Sequence, residues 1–133
     1  MTTPPAYDGF DRVLGLELVD ASGDRVLGRL PVQPHLHQPY GIVHGGVWCS
    51  VVETTASVGG ALWSGDRGQV VGVSNHTNFL RAVREGVVEV EAVPVHRGRT
   101  QQLWQVTCTT EDGKLVAQGQ VRLANIVPEA IGG

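Results

Sequence analysis

Apolar and polar residues along this chain change their period twice. From Gly15 to Asp20 (GLELVD) and from Arg25 to Val32 (RVLGRLPV) they alternate, which predicts two half-buried strands. The segment Ala21-Ser-Gly-Asp24 between them is a turn, and so short a connection makes the strands antiparallel. From His44 to Trp63 the spacing becomes helical. Val47, Val51, Val58 and Leu62 form one row, and Trp48, Val52 and Ala56 form its neighbour. The combined apolar face is wide, which suits a helix enclosed by a sheet. Ser64-Gly-Asp-Arg-Gly68 ends this helix, with Gly65 at the C′ position. Alternation then returns in four strand-like segments: Gln69 to Leu80, Gly86 to His96, Arg99 to Thr110 and Lys114 to Ile126. Gly98 and Asp112-Gly113 read as hairpin turns between them.

The predicted order is β-β-α-β-β-β-β, an α+β plan in which one sheet curls around one long helix. Tyr7 to Leu14 reads as a short helix or turn that packs Phe10 and Val13 inward. Gln33 to Val43, with two prolines and Gly41, is a loop leading into the long helix. Residues 1–6 and the last seven read as tails, so that one domain fills 1–133 with a core of about 10–126. The small residues Ala56, Ser57, Gly59, Gly60 and Ala61 would let another backbone approach one side of the helix.

Composition narrows the class of protein. The 133 residues suffice for a real core, and no apolar run approaches the length of a membrane span. The start, MTTPPAYDGF, shows no secretory signal, so Cys49 and Cys108, which have no CxxC spacing, are expected as reduced thiols in the cytoplasm. A net charge of -3 argues against a general nucleic-acid binder. The basic residues cluster locally, at Arg81/Arg84 and Arg97/Arg99, which suits a small anionic ligand better than a polymer.

The long helix carries one interior carboxylate, Glu53. A buried charge is costly unless it is paired or used. Glu53 is either a nucleophile or general base, or a structural carboxylate held by Thr54, Thr55 or Ser57. Gly45-Gly46 at the helix start either relieves crowding or lets a ligand oxygen reach first-turn amides that have no intrahelical partner. His44 and Glu53 are nine residues apart. That is about 13–14 Å of rise and two and a half turns, so the two side chains leave the helix on opposite sides. A site that uses both needs one from each of two subunits related by a two-fold axis. His35 and His37 have an HxH spacing, but no third ligand accompanies them, and no metal site is expected. Cys49 reads as packing, because no histidine is placed to activate it.

Several of these residues carry a family resemblance. They are Gln38, Gly41-Ile-Val-His44-Gly-Gly46, Glu53, Ser57, Val70-Val-Gly72 leading to Asn78, Arg84-Glu-Gly86 and His96-Arg-Gly-Arg99. Together they resemble the hotdog-fold acyl-CoA thioesterases, in the PaaI-like branch that includes 4-hydroxybenzoyl-CoA and enterobactin-pathway proofreading enzymes. The likeness spans about residues 10 to 126. It implies a hotdog fold, homodimers that associate into tetramers, and active sites at the dimer interface. It implies an acyl-CoA substrate, with no metal or redox cofactor, no nucleic acid and no membrane partner. By the same resemblance, the Gly45 amide polarises the thioester carbonyl, and Glu53 of the other subunit attacks it or activates water. Gln38 and His44 orient the thioester, and Ser57 positions the water or the carboxylate. Gly46, Asn78, Phe79, Arg97 and Arg99 fall among the substrate and coenzyme A contacts, the last two near the phosphates. Phe79 stands where some relatives carry a His against an aromatic acyl group, which leaves the acyl specificity open. A hotdog 3-hydroxyacyl thioester dehydratase and a non-catalytic acyl-CoA-binding module are the rival readings.

Overall fold

The computed structural model describes residues 9–126. The tails expected at either end, and Tyr7 of the first short segment, lie outside the described residues. The elements are α1 (Phe10–Leu14), β1 (Glu17–Ala21), β2 (Val26–Pro31), α2 (Gly45–Ser64), β3 (Gln69–Phe79), β4 (Val87–Arg97), β5 (Gln101–Thr110) and β6 (Leu115–Ile126). Single 3-10 turns occupy Pro34–Leu36 and Gly65–Arg67. Every strand falls within one or two residues of the segment that alternation marks. Gly65 caps α2 with φ 55°, and its N–H donates to the Ala61 carbonyl, as a glycine past the last helical turn should.

The six strands form one antiparallel sheet in the order β1-β2-β4-β5-β6-β3. Helix α2 packs against all six. Six strands span about 24 Å at the usual strand spacing, and a helix with its side chains is about 10–12 Å across. The sheet must therefore curl for every strand to touch α2. The core lies in this curl. Val26, Leu30, Val88, Val90, Ala92, Val106, Val121 and Leu123 face Trp48, Val51, Val52 and Ala56 across it, all of them buried.

The sheet approaches α2 through its glycines. A Cβ on Gly59 would lie 2.6 Å from the Trp104 ring, and one on Gly60 would lie 2.3 Å from Leu123 Cδ1. These two positions therefore receive side chains of the protein's own sheet, not another backbone, as the run of small residues had suggested. Ser57 and Ala61 remain on the uncovered side. Trp104 faces the helix, and its indole N–H donates to Gln102 Oε1 at 2.8 Å. Gln102, fully buried, in turn donates to Asn125 Oδ1, Gly60 O and Ser64 Oγ, which ties the end of α2 to β5 and β6.

Two packing expectations are corrected. Phe10 and Val13 do not point inward; they are 64% and 61% exposed. A helix of five residues offers one inward slot, which Leu14 takes, and Phe10 lands at the rim of a groove beside α2. The row Val47, Val58, Leu62 is only half-buried or exposed, because the sheet covers the neighbouring row more fully.

The Gly60 contact predicts that Gly60→Ala destabilises the fold. Alanine's better helix propensity offsets about 1 kcal/mol, and forcing a methyl into a packed core costs about 1–3 kcal/mol. The expected outcome is a lower urea midpoint with an unchanged m-value. A midpoint equal to or above wild type would show that Leu123 can move aside.

Candidate active site

His44 caps α2. Its backbone is extended, its Nδ1 accepts from the Gly46 N–H at 2.8 Å, and its carbonyl accepts from the Val47 N–H. An accepting Nδ1 leaves the proton of a neutral ring on Nε2. The cap separates the two glycines. The Gly46 amide is engaged, so it is not available to a ligand as the sequence suggested. The Gly45 amide has no partner among the described residues. A side chain at either glycine would force a neighbouring ring to move. A Cβ on Gly45 would lie 2.6 Å from the Phe79 ring, and one on Gly46 would lie 2.9 Å from His44 Nδ1. Both glycines thus relieve crowding, and Gly45 alone also leaves an open first-turn amide.

Gln38 lies beside this helix start. Its Oε1 accepts from the Tyr40 N–H, and its amide nitrogen has no acceptor among the described residues. Gln38, Gly45, Trp48 and Phe79 line a groove of about 400 Å³. Glu53 is not in it. Glu53 lines a second groove of about 480 Å³ with Phe10, Cys49, Ser50, Thr54 and Asn75.

The expectation of a buried Glu53 does not hold in a single chain, where the side chain is exposed. The sheet stops at β3, and the face of α2 that carries Glu53 looks past that edge. Nor is the carboxylate held by its helix neighbours. The Thr54 hydroxyl donates to Asp11 Oδ1, the Thr55 hydroxyl donates to the Val51 carbonyl, and Ser57 makes no side-chain hydrogen bond within the described residues. The partner of Glu53 is Asn75, whose Nδ2 donates to Oε1 at 3.2 Å. The other carboxylate oxygen lies over Gly72, where a Cβ would come within 2.8 Å of it.

A bulge in β3 explains why Asn75 reaches the helix. The register against β6 shifts between Gly72 and Ser74. Without the extra residue, the face that begins with Val70 and Gly72 would continue through Ser74, His76 and Asn78. With it, Asn75, Thr77 and Phe79 turn toward α2 instead. Asn78 then pairs with Gln118 on the opposite face and lines neither groove. Asn75 was the residue that sequence reasoning missed. An isolated glycine inside a strand pattern, Gly72, was the available signal.

The arginines lie elsewhere. Arg97 and Arg99 border a cavity of about 460 Å³ with Trp63, Arg67 and Asn125. Arg97 is not a free cation: it pairs with Asp24 at 2.8 Å and donates to the Gly23 carbonyl. Arg99 makes no ion pair or side-chain hydrogen bond among the described residues. Arg67 stacks on Trp63 with its guanidinium carbon 4.2 Å from the ring centroid. His35 and His37 diverge, one ring meeting the Val13 carbonyl and the other the Arg84 carbonyl. Among the described residues no helix is long and apolar enough to cross a membrane.

The profile of the Thioesterase superfamily matches residues 40–117, which include the helix start, Glu53 and all of β3. The chain belongs to the thioesterase superfamily. It is 46% identical over 120 residues to Rv1847 of Mycobacterium tuberculosis, covering 88% of this chain and 86% of that one. It is 35% identical over 101 residues to the proofreading thioesterase EntH of Cronobacter turicensis, covering 76% and 74%. The crystal structure of S. sahachiroi AziG superposes with a TM-score of 0.87 at 47% identity, covering 88% of this chain and 95% of that one. The fold of this thioesterase is accordingly the hotdog fold, with α2 as the central helix, and its chemistry is thioester hydrolysis.

The two thiols of this thioesterase differ in kind. Cys49 lines the Glu53 groove, whereas burial pushes the Cys108 thiol up from its ordinary 9.0 to about 12. The folded state thus keeps Cys108 neutral over a range in which the unfolded thiol ionises. Unfolding then releases a proton, so the contribution to stability is whole below 9.0 and is lost as pH rises toward about 12. We expect the denaturation midpoint to fall across that window, and the part due to this thiol to vanish in Cys108→Ala. An identical slope in the variant would remove Cys108 as its source.

Proposed function

We propose that this thioesterase hydrolyses acyl-CoA thioesters at two equivalent sites, each completed by a second copy of the chain paired along β3. The observation that carries the reading is the division of the candidate residues. One chain presents Gln38, Gly45 and Phe79 around one groove and Glu53 with Asn75 around another. Neither set is a complete site. The edge strand β3 borders both. It is 11 residues long and exposes Val71, Val73 and Phe79. A long, partly apolar edge with unpaired backbone groups is a template for another strand.

In the assembled site the thioester carbonyl oxygen meets the Gly45 amide, aided by the positive end of the α2 dipole. The His44 Nε2–H and the free amide of Gln38 orient the thioester. The partner's Glu53 either attacks the carbonyl carbon, expelling the CoA thiolate and leaving a mixed anhydride that water opens, or takes a proton from a water whose attack expels the thiolate, which is then protonated. Ser57, one turn beyond Glu53 and without a side-chain hydrogen bond among the described residues, positions that water or the carboxylate. The Phe79 ring forms an apolar wall beside the reacting carbonyl. Arg99, which makes no ion pair or side-chain hydrogen bond among the described residues, and Arg97 reach the coenzyme A phosphates from the cavity at the end of α2.

Thiol release from a panel of acyl-CoAs tests the reaction. Hydrolysis is expected, and Glu53→Gln should lower kcat by about 10²–10⁴-fold, the usual contribution of a general base, with acyl-CoA binding retained. Hydrolysis by Glu53→Gln at the wild-type rate would sink the assignment.

Complementation tests the shared site. A Glu53→Gln chain and a Gln38→Ala/His44→Ala chain should each be nearly inactive. Unfolded and refolded together, they should regain roughly a quarter of the wild-type rate, because half the dimers are mixed and each holds one intact site. A mixture no more active than its parents would put both halves of the site in one chain.

A further inference from the structure

The bulge that turns Asn75 toward α2 also brings Thr77 to the same face, and the two side chains form a short relay. The Thr77 hydroxyl donates to Asn75 Oδ1 at 2.7 Å. Asn75 Nδ2 donates to the Cys49 carbonyl at 3.0 Å and to Glu53 Oε1 at 3.2 Å. The amide thus has one orientation. Flipped, its carbonyl would face the Cys49 oxygen and the carboxylate, and its NH₂ would lose both acceptors. The Cys49 carbonyl fixes the nitrogen at the turn of α2 just before Glu53, so one N–H is left for the carboxylate.

We infer that Asn75, oriented by Thr77, is a positioning residue for Glu53, so that edge strand β3 and not the helix sets where the carboxylate points. The inference rests on the catalytic reading of Glu53 given above. The need for such a device follows from the exposure of Glu53. A glutamate on a helix has several rotamers open to it, and among the described residues none of its helix neighbours holds it. Asn75 holds one oxygen, and Gly72 leaves room for the other. Misplacing a reacting group by an ångström can cost about 100-fold in rate.

The geometry is tested without any substrate. In ¹H–¹⁵N spectra, Glu53→Gln should shift the side-chain amide pair of Asn75 and leave that of Asn125, which belongs to the Gln102 network, unmoved. An Asn75 signal that ignores Glu53→Gln would overturn the proposal whether or not the protein hydrolyses acyl-CoA. Kinetics test the consequence. Asn75→Ala should lower kcat about 10-fold, the loss of one charge-assisted hydrogen bond at about 1.4 kcal/mol per decade, with KM within about twofold. Asn75→Asp is isosteric but sets a second negative charge beside Glu53, and should be worse than Asn75→Ala. Thr77→Val should lose part of the same activity and add nothing to Asn75→Ala. In a Glu53→Gln background the Asn75 substitutions should have no further effect. A residue that only packs would reverse the order, with the isosteric Asp the milder change, and would cost as much in either background. Loss of hydrolysis in the wild type itself would instead count against the catalytic reading of the site.

Discussion

Burying α2 requires a sheet that comes close enough to touch the helix backbone, and Gly59 and Gly60 are the two places where it does. Trp104 enters at one and Leu123 at the other. These contacts fix both the rotation of α2 about its axis and its height on the sheet. Much of the site follows from that placement. With the Trp104 side of the helix held against β5 and β6, the start of α2 lies against the end of β3, where Phe79 covers Gly45. The same rotation sends Glu53 to the β3 edge, where Gly72 and Asn75 meet it. The Gln102 network anchors the other end of the helix, and through Asn125, whose Nδ2 donates to the carbonyls of Gly98 and Arg99, it holds the turn that carries Arg99. A buried network of this kind is stabilising only when every member is satisfied, and each of these amides is.

The bulge in β3 is the second determinant. One extra residue between Gly72 and Ser74 exchanges the two faces of the rest of the strand. It brings a donor, a hydroxyl and an aromatic ring to the helix, and sends Ser74, His76 and Asn78 to the other side. The glycine beside the bulge does a further job, since any side chain there would meet the Glu53 carboxylate. The strand that ends the sheet thus touches both candidate half-sites, through Phe79 at one and Asn75 at the other.

The elements themselves were legible because each has a clean period. Alternation in GLELVD, in Val88-Glu-Val-Glu-Ala92 and along the last two strands leaves little room for another assignment, and the Ser-Gly-Asp-Arg-Gly segment marks the end of α2. The separation of Glu53 from the helix start was legible too, since a lone carboxylate nine residues after His44 can be placed by helical geometry alone. Three features lay beyond that reach, all of them long-range. Which residues of β3 face α2 depends on a bulge that alternation in Gln69 to Leu80 does not reveal. The exposure of Glu53 depends on where the sheet stops, a property of strand order and not of the helix. The pairing of Arg97 with Asp24 joins the end of β4 to the β1–β2 turn, across 73 residues of chain.

An open groove is a poor place for electrostatic catalysis. Two unit charges about 4 Å apart interact by about 1 kcal/mol in water but by about 4 kcal/mol at an effective dielectric of 20, and a helix dipole is weakened by solvent in the same way. In a lone chain the start of α2 lines an open groove and the Glu53 side chain is exposed. The proposed pairing of two copies along β3 would change this in one step. It would satisfy the unpaired backbone of an 11-residue edge, cover Val71 and Val73, and bring each carboxylate out of water opposite the other copy's helix start. The free energy of covering that edge would then also offset the desolvation of two charges, which neither half-site would meet alone. Because the association is concentration-dependent, the strength of the strand pairing would set the dilution at which the enzyme loses its active form.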